Sequence, residues 1–308
     1  MPKIITITFS PCVDKSARVA ELVAEKKMHC IQAKSEPGGG GINVARVLNT
    51  LGGNVMAVFP SGGCTGTHLN KLLQIEKIPF DAILSKNETR ENFAILDKAS
   101  NKQYRFGMPA NELFEDEWMA CLKVIENQKN VDYIVASGSL PIGVPLNVYA
   151  QLLKIAQKSQ AKLIVDTSGD ALKEVAKEHV YLLKPNLEEL GILLNKDTIK
   201  IEEVEVAARE LINRGKCEIV VTSLGINGAI LVTKEKTYKA NAPKVEVKST
   251  IGAGDSMVAG LVFALSNGES LEKSLQYGVA CGTAATMNPG SELCKMKDVE
   301  MLLKLLAP

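Results

Sequence analysis

The segment Ser249-Thr250-Ile251-Gly252-Ala253-Gly254-Asp255-Ser256 places an acid after two glycines and just before an apolar run. Val258, Leu261, Val262 and Leu265 recur at helical spacing, which predicts a helix that starts at the glycines. Backbone N–H groups at such a start have no intrahelical partner, and the helix dipole is positive there. Small residues let a phosphate come close to that backbone. Asp255 would be repelled by a phosphate unless it has chemistry to do, and the chemistry that fits is accepting a proton from an attacking hydroxyl. The simpler reading is a glycine turn whose first-turn acid favours the dipole. The segment is not a dinucleotide fingerprint, because Met257 stands where the last glycine belongs. Nor does the chain hold a Walker loop: Gly215-Lys216 is followed by Cys217 and has no glycine five positions earlier.

A second glycine run, Pro37-Gly38-Gly39-Gly40-Gly41-Ile42-Asn43, opens a helix with Val44, Val47, Leu48 and Leu51 on its apolar stripe. A polar ligand there would meet bare backbone and the side chain of Asn43. Lys184-Pro185-Asn186-Leu187-Glu188-Glu189 joins a predicted strand to a predicted helix. A plain helix cap accounts for Pro185 and the acids. Lys184 with Asn186 and Glu189 could instead hold nucleotide phosphates and organise Mg²⁺ with its waters. Asp14 follows the first strand, where ligands of open α/β sheets approach, although a turn residue would look the same. Arg90 and Arg105 lie on polar segments and, taken singly, read as solvated charges.

The elements that must position these residues follow from patterning. From about residue 130, short apolar strands (Tyr133–Ala136, Leu163–Val165, Val180–Leu183, Ile219–Val221) alternate with amphipathic helices: one after Pro145, then Leu187–Leu194, and further ones near 201–214, 254–266, 270–286 and 297–306. That rhythm predicts an α/β fold, with a mostly parallel sheet covered by helices on both faces. Segments 12–36 and 90–107 are strand-like but more polar, and they predict a small separate β-sheet that covers the cleft, pairs with another subunit, or does both. The 308 residues are 46% hydrophobic and 23% charged, with a net charge of +1, so no global basic field favours nucleic acid. No apolar run reaches membrane-span length, and the start alternates like a strand rather than a signal peptide. The seven cysteines form no C-x-x-C pair, and with three histidines no zinc spacing arises. The expectation is a reduced, cytoplasmic chain with most thiols in the core.

Taken in order, Asp14, Gly38–Asn43, Ser137-Gly138-Ser139-Leu140-Pro141, Lys184-Pro185-Asn186-x-x-Glu189, Val221-Thr222-Ser223-Leu224-Gly225 and Ile251–Ser256 resemble the ribokinase/PfkB family of carbohydrate kinases across the whole chain. The resemblance implies a single Rossmann-like domain, residues 1–308, with a β-lid formed by the two polar excursions. The Gly38–Gly41 run, Gln103-Tyr104-Arg105-Phe106-x-Met108-Pro109 and Asn288-x-Gly290-x-x-Leu293-Cys294 resemble the branch acting on fructose 6-phosphate. Glu292 stands where that branch has arginine, and Ile142 where it has proline.

The implied reaction is Mg·ATP-dependent phosphorylation of the sugar 1-hydroxyl, giving fructose 1,6-bisphosphate in glycolysis. Asp255 is then the base, with the Gly252, Ala253 and Gly254 N–H groups stabilising the transferring phosphoryl group. Lys184, Asn186, Ser223 and Gly225 hold the nucleotide, and Asn186 and Glu189 organise Mg²⁺ through water. Asp14, Gly39 and Asn43 hold the sugar, while Lys27, Arg90, Arg105 and Ser139 hold its 6-phosphate. A potassium loop would involve Ser249, Ile251, Ala285, Asn288 and Gly290, and the lid implies a homodimer. Competing readings are a tagatose 6-phosphate or fructose 1-phosphate kinase, or a non-catalytic sugar-phosphate or nucleotide sensor.

Overall fold

Short apolar runs with no polar face suit strands buried on both sides, and Tyr133–Ala136, Leu163–Val165 and Ile219–Val221 are all buried. The computed structural model describes residues 2–306. In chain order its strands are β1 (Lys3–Ile7), β2 (Cys12–Val19), β3 (Ile31–Gly38), β4 (Asn54–Ser61), β5 (Phe80–Leu84), β6 (Arg90–Asp97), β7 (Lys102–Gly107), β8 (Val131–Ser137), β9 (Lys162–Asp166), β10 (Val180–Leu183), β11 (Cys217–Ser223), β12 (Ala229–Val232) and β13 (Thr237–Ala240). The helices are α1 (Gly40–Thr50), α2 (Gly63–Ile75), α3 (Glu115–Glu126), α4 (Val148–Ser159), α5 (Gly169–Val175), α6 (Leu187–Leu194), α7 (Val204–Asn213), α8 (Ala253–Ser266), α9 (Leu271–Thr286) and α10 (Met296–Leu306).

Nine strands form one sheet in the order β13-β12-β11-β10-β9-β8-β1-β4-β5, parallel except for the β11–β12–β13 edge. The expected α/β class with helices on both faces is what the chain adopts. Alternate residues feed two cores. Ile4, Val135, Ile164 and Leu182 pack with Val47 of α1 and Leu261 of α8. Ile5, Ile134, Val165 and Val220 pack with Leu122 of α3, Leu152 of α4 and Leu211 of α7. The chain runs outward from β1 to β4 and β5, then restarts at β8 on the other side of β1. That reversal opens a crevice at the carboxyl ends of β1 and β8, where open α/β sheets bind ligands.

Helices α2, α3 and α5 and strands β4, β5 and β13 have no counterpart among the elements predicted from periodicity. The apolar stripe of α2 shows why: only Leu69 and Leu73 among its large side chains are buried. A stripe that thin gives no clear 3.6-residue period.

A separate sheet of order β3-β2-β6-β7 rises beside the main one. Its outer pairs are antiparallel, and its central pair β2–β6 is parallel. Asp14 is therefore a strand residue, set in β2 directly between Glu36 of β3 and Asn92 of β6.

The glycine run does more than bare its backbone to a ligand. A Cβ on Gly41 would lie 2.5 Å from the Ile7 carbonyl oxygen and 2.6 Å from Thr8 Oγ1, and one on Gly40 would lie 2.7 Å from the Gly138 nitrogen. These two glycines let α1 sit hard against the ends of β1 and β8. Gly41→Ala should therefore destabilise the fold by about 1–3 kcal/mol, read as a lowered denaturant midpoint at unchanged m-value. A wild-type midpoint would show that the helix can back away freely.

Candidate active site

Asp255 occupies the first turn of α8, whose N-cap is Gly252 with φ 71°. That left-handed backbone suits glycine, and a Cβ there would also run into Leu293 Cδ2 at 2.5 Å. Two elements reach across to the Asp255 carboxylate. Asn43 of α1 donates from Nδ2 to Oδ2 at 2.9 Å, and Ser137 at the end of β8 donates from Oγ to Oδ1 at 3.4 Å. Asn43 is itself backed by Arg46, whose Nη1 donates to the Pro37 carbonyl at 2.9 Å and lies 3.5 Å from Asn43 Oδ1. Arg46 is buried and makes a two-pronged pair with Glu76 at 2.7 and 2.8 Å.

Burial pushes the Asp255 carboxyl up to about 6, and the nearby Asp166 carboxylate adds to the rise. The hydrogen bond from Asn43 and the Lys184 ammonium pull in the opposite direction. Asp166, at the end of β9, pairs with Lys184 Nζ at 3.1 Å. Lys184 is buried, which works against its charge, but Asp166, with Glu189 and Asp255, more than offsets this and holds the ammonium above its usual range. Its Nζ reaches within 3.8 Å of where a Gly254 side chain would begin. Cation, acid and open helix start therefore share one place. Ser137 and Asp166 are the residues that sequence reasoning left out of the site. Asp166 had a usable signal, the strand end Leu163-Ile164-Val165-Asp166, because an acid closing an apolar strand lies on the ligand edge.

Asn186 and Glu189 form a reciprocal capping box. The Asn186 backbone N–H donates to Glu189 Oε2 and the Glu189 N–H donates to Asn186 Oδ1, both at 2.9 Å. The cap reading of this motif is thus physically present. Burial raises the Glu189 carboxyl above its ordinary value, and the neighbouring Asp166 and Glu188 charges push the same way. Ser223 lies beside Asn186 through a bridge between the ends of β10 and β11, its N–H donating to the Pro185 carbonyl at 3.1 Å. Gly225, with φ 59°, turns the chain just after β11.

A cleft of about 400 Å³ lies between the small sheet and the start of α8, and Asp14, Gly39, Asn43, Arg90, Arg105, Gly252 and Asp255 all line it. Arg90 Nη1 donates to the Met108 carbonyl at 2.9 Å and Nη2 to the Ser10 carbonyl at 3.4 Å, while its buried Nε has no partner. Arg105 Nη2 donates to Thr250 Oγ1 at 2.8 Å, tying β7 to the segment before α8. Burial lowers the Arg105 guanidinium from its ordinary range.

Two of the sequence-chosen residues do not line this cleft. Ser139 is exposed on the loop after β8, and its neighbour Ser137 is the serine that meets Asp255. Lys27 is exposed in the β2–β3 connection. At a rise of about 3.3 Å per residue, the strand from Asp14 to Val19 alone carries the chain roughly 16 Å away.

The loops named for potassium do converge. Ser249 Oγ donates to the Gly290 carbonyl at 2.6 Å, the Ile251 N–H to Ser249 Oγ at 3.2 Å, and the Asn288 N–H to the Ala285 carbonyl at 3.1 Å. They meet at the C-terminus of α9, the negative end of its dipole. Glu292 pairs with Lys34 of β3 and with Lys295, each at 3.1 Å.

The electrostatics of Asp255 make two linked expectations. If Asp255 is the base, kcat/KM should rise with pH through an apparent pKa near 6, because a general base works only when ionised. An acid whose folded-state pKa is raised from 3.8 to about 6 keeps its proton in the folded state where the unfolded chain has lost it. Stability therefore falls as pH rises through that window and stays lower above it. Asp255→Asn should abolish most turnover, about 10²–10⁴-fold, yet melt no lower than wild type at pH 7.5. Turnover within a few-fold of wild type would rule out the base.

Residues 5–298 match the family described as "pfkB family carbohydrate kinase". The chain is 41% identical to the ATP-dependent 6-phosphofructokinase isozyme 2 of Escherichia coli (strain K12), over 100% of both chains. It is 33% identical to the 1-phosphofructokinase of Borreliella burgdorferi, covering 97% of this chain and 96% of that one. A crystal structure of phosphofructokinase-2 from Escherichia coli in complex with substrates and products superposes with a TM-score of 0.95 at 40% identity, over 99% of this chain and 100% of that one. With the acid at an open helix start and the Asp166–Lys184 pair beside it, the conclusion is that this chain belongs to the pfkB family of carbohydrate kinases.

Proposed function

We propose that the protein is an ATP-dependent 6-phosphofructokinase that transfers the γ-phosphoryl group of ATP to the 1-hydroxyl of fructose 6-phosphate, yielding fructose 1,6-bisphosphate and ADP. The observation that carries the reading is the Asp255 carboxylate, held by Asn43 and Ser137 at the open N-terminus of α8 and raised to about 6. Full-length identity to the Escherichia coli isozyme 2 exceeds that to the 1-phosphofructokinase, which supports the 6-phosphate as the group recognised.

In this reading Asp14, Gly39 and Asn43 orient the sugar so that its 1-hydroxyl faces Asp255. Asp255 takes the hydroxyl proton as the oxygen attacks phosphorus. The N–H groups of Gly252, Ala253 and Gly254 and the Lys184 ammonium stabilise charge on the transferring group and the departing ADP. Ser223 and Gly225 support the nucleotide along the ends of β10 and β11. Arg90 holds the 6-phosphate. Each Nη donates one N–H to a protein carbonyl and keeps a second for a ligand. Arg105 is the second cation in the cleft. Ser139 and Lys27 do not line the cleft of their own chain, and their contact with the 6-phosphate rests on the family resemblance alone.

Asp166, Glu189 and Asn186 offer oxygen donors only, as a hard cation requires. No group of three or more acidic, cysteine or histidine side chains among the described residues forms a metal cage. That donor set fits Mg²⁺ held through water and phosphates, where the ion supplies charge neutralisation of the phosphoryl oxygens. Carbonyls at the end of α9 suit potassium, and a solved Escherichia coli phosphofructokinase-2 is described in complex with potassium.

A homodimer accounts for the outer face of the small sheet. Tyr104 and Phe106 are 39% and 46% exposed, and they sit opposite Ile95 and Phe93 on one face. A second copy laid against that face would cover it. A cytoplasmic location agrees with the ATP requirement and with seven cysteines that are all free. No helix among the described residues is long and apolar enough to cross a membrane.

An ADP-coupled assay with fructose 6-phosphate, tagatose 6-phosphate and fructose 1-phosphate tests the substrate, and the highest kcat/KM identifies it. Arg90→Ala should raise the KM for fructose 6-phosphate roughly 10- to 150-fold and leave the KM for ATP nearly unchanged. Equal losses with fructose and fructose 6-phosphate would instead assign Arg90 a structural role. Glutamine caps a helix as glutamate does, so Glu189→Gln isolates the charge. It should keep the wild-type melting temperature while raising the Mg²⁺ concentration needed for half-maximal rate. An unchanged Mg²⁺ titration would leave Glu189 as a cap alone.

A further inference from the structure

Asn92 plays no part in the readings above, yet it joins the two residues on which sugar recognition depends. It lies mid-strand in β6, opposite Asp14 of β2 on one side and Gly107 of β7 on the other. Its Nδ2 donates to Asp14 Oδ1 at 2.9 Å and lies 3.2 Å from Cys12 Sγ. Its Oδ1 accepts from the Met108 N–H at 3.2 Å. Met108 in turn offers its carbonyl to Arg90 Nη1 at 2.9 Å. One carboxamide thus connects the hydroxyl-facing acid to the backbone unit that holds the phosphate-facing arginine.

The amide is not needed to hold the sheet, since the backbone ladder already pairs β2, β6 and β7 on either side of it. Asparagine is also disfavoured in strands. The amide cannot rotate without penalty, because a flip would aim its oxygen at Asp14 and its NH₂ at the Met108 N–H. Gly107, opposite, has no side chain, so nothing from that position covers Asn92 where the cleft opens.

We infer that Asn92 is a positioning residue that fixes the separation between Asp14 and Arg90, and so selects the length of the phosphorylated sugar the cleft accepts. The inference rests on the roles given to Asp14 and Arg90 in the proposed function. A sugar whose phosphate sits one carbon nearer the reacting hydroxyl meets only one anchor at a time while the spacing is rigid. Once Asn92 is removed, the anchors can drift and the shorter sugar loses less than the correct one.

The test compares kcat/KM for fructose 6-phosphate with that for a ketopentose 5-phosphate carrying the same 1-hydroxyl, in wild type, Asn92→Ala, Asn92→Asp and Arg90→Ala. Asn92→Ala should lower the hexose-over-pentose ratio roughly tenfold, below the ~10²-fold that a 1 Å misplacement can cost. The KM for ATP should stay near wild type. Asn92→Asp keeps the size and the acceptor for Met108 but turns a carboxylate toward Asp14. It should also lower the ratio, and it carries the test if the alanine variant does not fold. If both variants lose activity on the two sugars equally, Asn92 is structural and the inference is wrong. If Arg90→Ala leaves the KM for fructose 6-phosphate unchanged, the phosphate role itself is wrong and the spacing inference falls with it. A phosphate-specific loss in Arg90→Ala with an unaltered ratio in the Asn92 variants sinks the spacing inference alone.

Discussion

The hydrogen bonds from Asn43 and Ser137 to Asp255 tie together three elements that are far apart in sequence: α1, the end of β8 and the start of α8. A buried carboxylate without such donors would stay protonated at neutral pH and be useless as a base. With too many donors or cations it would ionise completely and lose basicity. Burial and Asp166 raise it, while Asn43, Lys184 and Ser137 lower it, and the balance falls at about 6. Much of the surrounding structure serves that balance. Gly40 and Gly41 let α1 approach closely enough for Asn43 to reach, and Arg46 braces both the glycine run and Asn43.

The same cluster explains why the edge proposed for the nucleotide carries more acid than base. Asp166, Glu189 and Asp255 all act on the one buried ammonium of Lys184. Such an excess of negative charge is unfavourable in the free protein and, in the proposed reaction, would become favourable once a divalent cation arrived with the nucleotide. A capping box does not conflict with this. It engages one oxygen of Glu189 with the Asn186 N–H, which fixes the side chain and leaves its second oxygen for solvent or an ion's water shell.

The small sheet meets the main body through polar contacts: Lys34 with Glu292, Glu36 with Ser291, Gln103 with Ser249 and Arg105 with Thr250. Lys34–Glu292, the exposed pair among them, is worth little, about 0–1 kcal/mol, whereas Glu36 and Ser291 meet while both are buried. Val13 of β2 is fully buried in the core shared with α1 and α8, so the root of the small sheet is anchored to the main body. Glu292, the departure from the related branch, is part of that seam rather than an idle surface charge.

The sequence by itself determined the alternation of strands and helices after residue 130, because apolar strands and amphipathic helices have periods set by local backbone geometry. It also determined that Gly252–Asp255 opens a helix and that Gly38–Asn43 opens another, since glycine runs before apolar stripes have few other outcomes. Combined with the order of the other motifs, this was enough to point to the family. Elements with thin stripes, such as α2, and elements stabilised by their neighbours, such as β13, left no periodic trace. Only the tertiary structure decided that Ser137 meets Asp255, that Asp166 pairs with Lys184, that Lys27 does not line its own chain's cleft and that Asn92 joins Asp14 to Met108. Those facts depend on which strand ends and cross-strand neighbours come together, and contacts between residues tens to more than a hundred positions apart are set by chain topology and packing, not by any local pattern.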